Sequence, residues 1–177
     1  MKKGGKFLGV LLAVCMVITM NVVSAYADSS VPVTRWDNYA ATKFAGGTGT
    51  KDDPYRIENG EQLAKLAKDV SARNTHKGEY FRLEKNIDLS AHRWIPIGDF
   101  GGSSYKSFEG FLDGNCKTIS GMVVDQSKDQ QSAGLFGYIS NATKGNEVGV
   151  KDLTIANAEL YVDESILTDS IVVGCAG

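Results

Sequence analysis

Short apolar runs dominate the chain after Gly78, and this pattern limits the possible folds more than any other feature of the sequence. The runs are rich in β-branched and aromatic residues and are separated by Gly, Asn, Asp and Ser, which is typical of strands joined by turns. No helical pattern of usable length lies between them, which argues against a doubly wound α/β sheet. The predicted strands are 80–83, 86–89, 94–98, 108–112, 118–124, 135–139, 148–155, 159–162 and 171–173.

The sequence also repeats itself. Residues 133–137 and 173–177 align without gaps at an offset of 40 residues, and each segment has an apolar residue, Gly, two apolar residues and Gly. Residues 117–122 match residues 152–157 more loosely. Strand-and-turn units at a fixed period indicate a parallel β-solenoid, in which successive turns of the chain stack about 4.8 Å apart. A Greek-key sandwich also uses short strands and is the alternative fold.

Two segments are expected to shape this solenoid. Residues 113–115, Asp-Gly-Asn, interrupt an apolar run and predict a tight corner between two strands, because corners need positive φ or a minimal side chain. In residues 134–137 we expect both glycines to let adjacent turns approach closely, while Leu135 or Phe136 fills the interior. Replacing Gly134 by Val is therefore expected to destabilise the fold through a steric clash.

One convincing helix precedes these strands. Apolar residues recur at helical spacing through residues 61–72, Asn59 is a suitable N-cap, and Gln62 follows it three residues later. The helix is expected to lie just before the first strand and to cap the open end of the solenoid, whose unpaired edge would otherwise invite aggregation. The chain stops inside the second copy of the repeat, so we expect it to be the front piece of a longer protein.

The N-terminus has the pattern of a secretory signal peptide. Lys2, Lys3 and Lys6 precede a long apolar segment, and Ala25 and Ala27 predict cleavage after residue 27. An uncleaved anchor is disfavoured because the apolar core is shorter than the roughly 20 residues of a membrane span. A lipoprotein signal at Cys15 is the other alternative. The predicted organisation is a signal peptide at 1–27, an extended and turn region at 28–57, and the capping helix with the first turns of the β-helix at 58–177.

Composition excludes some classes of function and of fold. After signal cleavage 16 Lys and Arg face 21 Asp and Glu, which disfavours nucleic acid as a partner. Cys116 and Cys175 are then the two remaining cysteines, so packing and not a disulfide framework must hold the fold together. Each is expected to be a small buried residue, and a Cys116–Cys175 bridge is the alternative.

An ordered series of short motifs resembles the GLUG-motif surface proteins of bacteria. The motif itself is Gly134-Leu135-Phe136-Gly137, and the upstream segments that match the leader of these proteins are 49–50, 53–57, 61–63, 80–83, 87–90, 94–98, 108–115 and 118–121. The resemblance implies a right-handed parallel β-helix in a secreted or wall-attached protein of adhesin type, or in the non-catalytic front part of a surface protease. The second copy departs from the motif, because Cys175 and Ala176 stand where Leu135 and Phe136 stand in the first.

The sequence predicts no catalytic, cofactor or metal site. His76 and His92 are expected at the surface, and Asp52-Asp53 is interpreted as a turn in preference to a calcium site. Carboxylates and cations that could serve a polysaccharide-cleaving β-helix show no repeated alignment and are interpreted as solvated turn residues. These residues are Asp88, Asp113, Asp125, Lys117 and Arg93.

Aromatic residues offer a possible carbohydrate platform. Trp94, Tyr105, Phe108 and Tyr138 could stack on sugars if they face outward, although Trp94 and Phe108 are expected to pack inside. The predicted function is a secreted or cell-surface, non-enzymatic adhesin-like or stalk module that binds an extracellular ligand, such as a carbohydrate or a host surface, without a membrane span after signal cleavage. The alternative is the non-catalytic front part of a larger secreted hydrolase.

Overall fold

The computed structural model describes residues 31–99, 105–126, 132–140 and 147–161. The chain divides into Met1–Ser30 and Val31–Gly177, and all described residues belong to the second unit. The predicted signal peptide, the strand at 171–173 and the second copy of the repeat lie outside the described residues. Within them the protein is mainly β with one α-helix, as the sequence predicts.

The elements follow the strand and turn signals closely. A 3-10 helix at Trp36–Tyr39 is followed by eight further elements. These are β1 Tyr55–Ile57, α1 Gly60–Ser71, β2 Tyr80–Leu83, β3 Ile87–Asp88, β4 Phe111–Ser120, β5 Val123–Asp125, β6 Gly149–Ala156 and β7 Glu159–Tyr161. Residues 94–98 and 135–139, expected to be strands, pair instead through isolated bridges, among them Ile97 with Phe136.

Each of the five strand pairs in the described ranges is parallel. In the larger sheet β1 pairs with β2, and β4 pairs with β2 over its first half and with β3 over its second half. β6 then pairs with the other edge of β4, while β5 and β7 form a separate pair. Because parallel pairing keeps equivalent positions opposite one another, side chains line up in rows across the sheet.

The inward rows form the hydrophobic core. One row contains Tyr55, Phe81, Leu112 and Val150, another Ile57 and Leu83, and a third Ile87, Ile119 and Ile155. Phe81, Leu112 and Ile119 are fully buried. At about 25 cal/mol for each Å² of apolar surface removed from water, these rows supply a large part of the driving force for folding.

The α-helix begins and ends close to its predicted bounds. The Asn59 side chain accepts a hydrogen bond from the Gln62 amide at 3.0 Å, and Gln62 Oε1 accepts from the Glu58 amide at 2.7 Å. The Asn59 side chain thus satisfies an amide that the first turn of a helix leaves unpaired, and the Gln62 side chain holds the residue before the cap. Its inner face buries Leu63, Leu66, Ala67 and Val70 in the common core.

The helix does not precede the first strand, contrary to expectation. Strand β1 lies before it in the chain and pairs with β2, so the helix is the connection between two neighbouring parallel strands. The sequence prediction missed β1 because its three residues follow a dense turn, in which Gly46, Gly47 and Gly49 have positive φ. A strand of three residues carries too little periodicity to be recognised.

The segment 113–115 does not separate two strands, although the expected positive φ is present at Asn115. It lies within the continuous strand β4, where the left-handed residues are Asn115 with φ 50° and Cys116 with φ 55°. Gly114 serves another purpose, because a Cβ there would lie 2.5 Å from the Asp152 carbonyl oxygen of β6. The kink lets one strand follow β2 first and β3 afterwards.

The loose self-match between 117–122 and 152–157 is one residue out of register. Ile119 lies beside Ile155 and Thr118 beside Thr154, whereas the ungapped match places Ile119 beside Thr154. The pairing shifts between Asp113 and Lys117, because three residues of β4 face one residue of β6 in the kink. The paired residues 117–120 and 153–156 follow the bulge without a gap, so moving the ungapped match by one residue gives the observed register.

The two glycines of residues 134–137 have different roles. A Cβ at Gly137 would lie 2.3 Å from the carbonyl oxygen of Gly98, which confirms the expected close approach. At Gly134 the nearest atom would be the Phe136 carbonyl oxygen at 3.4 Å, so the expected clash is wrong there. Gly134 has φ +135°, and it is backbone conformation that favours glycine at this position.

Candidate functional site

The outward side chains of β1, β2, β4 and β6 form one surface, which we call the outer face. Because side chains alternate along a strand, each strand that buries an apolar residue must present its neighbours to solvent. Phe81 and Leu83 point inward, so Tyr80 and Arg82 point outward. The outer face contains an aromatic row of Tyr80 and Phe111, ending at Gly149, and a charged row of Arg56, Arg82, Asp113 and Lys151.

The aromatic row is half-buried and open at one end. The ring centroids of Tyr80 and Phe111 are 5.9 Å apart with an interplanar angle of 44°. The third position in the row is Gly149 of β6, where an added Cβ would meet nothing within 4 Å. The side of the Phe111 ring toward β6 is therefore not covered by a side chain at the paired position.

The charged row contains its own counterions. Lys151 Nζ lies 3.2 Å from Asp113 Oδ2, and Arg56 lies 3.3 Å from Asp53. Arg82 donates a hydrogen bond of 2.9 Å to Asn115 Oδ1. The hydrogen bond to Asp113, and then the charge of Asp113, raise the pKa of Lys151.

A second ion pair lies on the other side of the aromatic row. Lys51 Nζ is 3.0 Å from both carboxylate oxygens of Glu147, and the Tyr80 hydroxyl donates to Glu147 Oε2 at 3.3 Å. The hydrogen bond from Lys51, followed by its charge, holds the pKa of Glu147 below its usual value. Tyr80 and Phe111 thus lie between two groups of oriented donors and acceptors whose charges largely cancel.

The aromatic residues named from the sequence divide into two sets. Trp94 and Phe108 are buried, which confirms the expectation that they pack inside, and the Trp94 indole donates to the Leu135 carbonyl oxygen at 3.1 Å. Tyr105 is 61% exposed and its ring centroid lies 5.9 Å from that of Tyr138. The sequence did not single out Tyr80 and Phe111, although alternation with buried neighbours in residues 80–83 and 111–112 was the available signal.

The polar candidates for catalysis have other partners. Asp113 pairs with Lys151, and Asp88 accepts a 2.9 Å hydrogen bond from the Ser90 amide, which lowers the pKa of Asp88. Arg93 is buried and donates to the carbonyl oxygens of Pro32 and Val33. Asp125 is also buried, at the end of β5, and Lys117 is half-buried in β4. The interpretation as solvated turn residues is therefore wrong for Arg93 and Asp125.

The surface location predicted for His76 is wrong. The residue is 4% exposed and adopts φ 54° between α1 and β2. Its Nδ1 donates to Glu79 Oε2 at 2.5 Å, and its Nε2 lies 3.4 Å from Asp69 Oδ2 without a hydrogen bond. His76 links the helix to the start of β2 at the edge of a cleft of about 350 Å³, which Phe44 and Lys65 also line.

His92, Asp52, Asp53 and Cys116 complete the predicted candidates. His92 is half-buried and stacks on Tyr39 with ring centroids 3.9 Å apart. Asp53 accepts two backbone hydrogen bonds of 3.0 Å through its carbonyl oxygen, which is typical of the expected turn. Cys116 is exposed and has no disulfide partner, so the prediction of a buried residue is wrong, and Cys175 lies outside the described residues.

The described part of the chain shows neither a metal-ligand cluster nor a membrane-spanning helix. It contains no group of three His, Cys, Asp or Glu side chains placed to hold a metal ion. No helix among the same residues is long and apolar enough to cross a membrane.

Two known proteins are similar to this chain. A protein of Evansella cellulosilytica, named as a Gly-rich membrane protein, is 36% identical over 102 residues, which cover 54% of this chain and 11% of that protein. Halomucin of Haloquadratum walsbyi is 32% identical over 138 residues, which cover 66% of this chain and 2% of halomucin. The chain thus spans a small part of the length of either relative. No protein-family profile and no solved structure matches it.

Proposed function

We propose that the chain is a secreted, surface-displayed binding module without catalytic activity, built as a right-handed parallel β-helix. The parallel register of β1, β2, β4 and β6 carries this proposal, because it aligns equivalent residues into rows across one continuous outer face. Stacked units of this kind create extended surfaces that bind long ligands through repeated contacts.

The strand connections support the solenoid. Parallel neighbours in one sheet need crossover connections, and these are right-handed in about 98% of cases. The kink of β4 supports it as well, since a single strand follows β2 and β3 in succession and β6 then copies the same path. β5 follows β4 in the chain and β7 follows β6, and β5 and β7 also pair in parallel.

The N-terminus and the relatives support a location outside the cytoplasm. The basic, apolar and small-residue pattern before residue 28 is that of an exported protein. One relative is named as a membrane protein and the other as halomucin, and both are many times longer than the aligned segment. The resemblance of residues 134–137 and their leader to GLUG-motif surface proteins favours the same role for this chain.

A cross-linking experiment tests the solenoid. In a Cys116→Ser background, the pair Arg82→Cys and Asp113→Cys should form a disulfide on mild oxidation, because Arg82 and Asp113 are direct partners in β2 and β4. The pair Arg56→Cys and Asp113→Cys is the matched control, since these positions are two strands apart and exceed the reach of a disulfide. Peptide mapping that finds the control cross-linked and the first pair free would contradict the parallel register.

A second experiment tests the location. Protease treatment of intact cells that express the full natural protein should remove an epitope placed in this segment, and the N-terminal peptide of the secreted form should begin at Asp28. Recovery of the epitope in the cytoplasm after protease treatment would contradict surface display.

A further inference from the structure

We propose that the row of Tyr80 and Phe111 on the outer face binds a neutral polysaccharide. This inference rests on the proposed function and names the ligand class of the same surface. Neither Tyr80 nor Phe111 belongs to the aromatic residues that the sequence analysis named as a carbohydrate platform.

The rings are suited to stacking on a sugar. Sugar rings present C–H groups on their faces, and these pack on the negative face of an aromatic ring. Phe111 has Gly149 beside it in β6, so the paired position carries no side chain that could cover its ring. The hydroxyl of Tyr80 is held by Glu147, so the ring has a defined orientation before any ligand arrives.

Polar groups lie on both sides of the row. Residues two positions apart on a strand are about 6–7 Å apart, so Arg82, Asp113 and Lys151 follow the aromatic row closely on the same face. Lys51 and Glu147 lie on its opposite side. These side chains offer donors and acceptors at the edges of a bound sugar, where its hydroxyl groups lie.

The charges favour a neutral ligand. Lys151 is paired with Asp113 and Lys51 with Glu147, so each of these two cations already has a carboxylate partner on the surface. An acidic polymer would have to separate these pairs and would meet the two carboxylates. A neutral polymer accepts hydrogen bonds from the cations and donates to the carboxylates while the pairs remain.

A peptide fits this face less well. Extended peptides bind sheets by adding a strand at an edge, where backbone groups are free. The strands β2 and β4, which carry Tyr80 and Phe111, already use their backbone groups on both neighbours, so the aromatic row presents side chains alone. A polysaccharide needs no backbone partner.

Affinity electrophoresis tests the assignment. The full secreted chain is run through native gels that contain hydroxyethylcellulose, xyloglucan or galactomannan, with polygalacturonate as the acidic polymer. At least one neutral gel should retard the protein, and Phe111→Val should weaken retardation roughly fivefold, since stacking on an aromatic ring contributes about 1 kcal/mol beyond its area. Tyr105→Ala, which removes an exposed aromatic ring outside this row, is the matched control and should leave retardation unchanged.

A second variant protects the test against misfolding. Circular dichroism shows whether the Phe111→Val protein folds. If it does not fold, the double variant Glu147→Ala and Lys151→Ala replaces it in the test. This variant should weaken retardation at least about threefold, because it removes polar groups at both edges of the row. Retardation unchanged in folded forms of these variants would overturn the site. Retardation lost in Tyr105→Ala would move the site to the Tyr105–Tyr138 pair.

The remaining outcomes concern the ligand class. Absence of retardation in every neutral gel would overturn the inference, and so would retardation in polygalacturonate alone. Either result would leave the proposed module intact if the Arg82 and Asp113 cysteines still cross-link and the epitope is still removed from intact cells. Failure of those two experiments would instead reject the proposed function itself.

Discussion

Strands β4 and β6 run side by side with matching inward residues, yet they differ in burial. Ile119 of β4 is 0% exposed, while Ile155, its direct partner in β6, is 41% exposed. β4 has paired strands on both edges, whereas among the described residues β6 pairs on one edge only. An inward side chain of these parallel strands is therefore buried by its neighbours in the same row. The same residue type contributes differently to stability at the centre of the sheet and at its edge.

The largest expected effect compares these two isoleucines. Ile119→Ala should lower the free energy of unfolding by about 3 kcal/mol, because it removes buried methylene groups and leaves a cavity. Ile155→Ala, with the same change in strand propensity, should cost less than about 1 kcal/mol. Urea denaturation followed by circular dichroism measures both, and equal losses would mean that β6 is covered as completely as β4.

The contact between the two strands can be tested at Gly114. Gly114→Ala should cost about 2 kcal/mol, because its Cβ would overlap the Asp152 carbonyl oxygen and lie 2.7 Å from the Leu153 Cα. Thr118→Ala in the same strand is the control and should cost less than about 1 kcal/mol. A thermal melt in which Gly114→Ala is neutral would show that β6 does not approach β4 at the kink.

The kinks of the two strands should respond differently to substitution. Asn115→Ala should cost about 1–2 kcal/mol, because it keeps a Cβ at φ 50° and removes the hydrogen bond to the Leu83 carbonyl oxygen. At Asp152, with φ 52°, the change to Asn should cost less than about 0.5 kcal/mol, since Asn tolerates this conformation. Both values come from the same denaturation series, and a larger loss at Asp152 would reverse the expected order.

The smallest effect concerns the ion pair between Lys51, in the turn before β1, and Glu147, two residues before β6. Lys51→Met should raise the pKa of Glu147 toward its ordinary value, because the hydrogen bond and charge that lower it are removed. The depressed pKa means that the pair stabilises the fold above the ordinary pKa of a glutamate and loses this contribution as the pH falls through the folded value. Carboxyl-carbon NMR titration of Glu147 measures the change.

Lys85→Met is the control for this titration. Lys85 pairs with Glu58 at 2.7 Å, away from Glu147, so this variant should leave the Glu147 titration unchanged. An unchanged Glu147 pKa in Lys51→Met would show that the pair does not form in solution.

Local sequence signals predicted most of the elements correctly. The helix was predicted within one residue at each end, because its cap at Asn59 and its apolar spacing lie within one continuous segment. β2, β6 and the burial of Trp94 and Phe108 also follow from short-range patterns. The outer face was not recognised, because a row such as Tyr80, Phe111 and Gly149 exists only after three distant segments pair in register.

The amino-acid sequence alone determined the strand-rich class, the one helix of the described residues and the turns, since each depends on residues that are close in the chain. Tertiary structure decided the register, the burial of His76 between Asp69 and Glu79, and the neighbours of Phe111. For the register, the physical reason is the kink at Asn115 and Cys116, which uses three residues in β4 where β6 uses one. This difference in length shifts every later pairing between β4 and β6. Only the close approach of these two strands determines the new register.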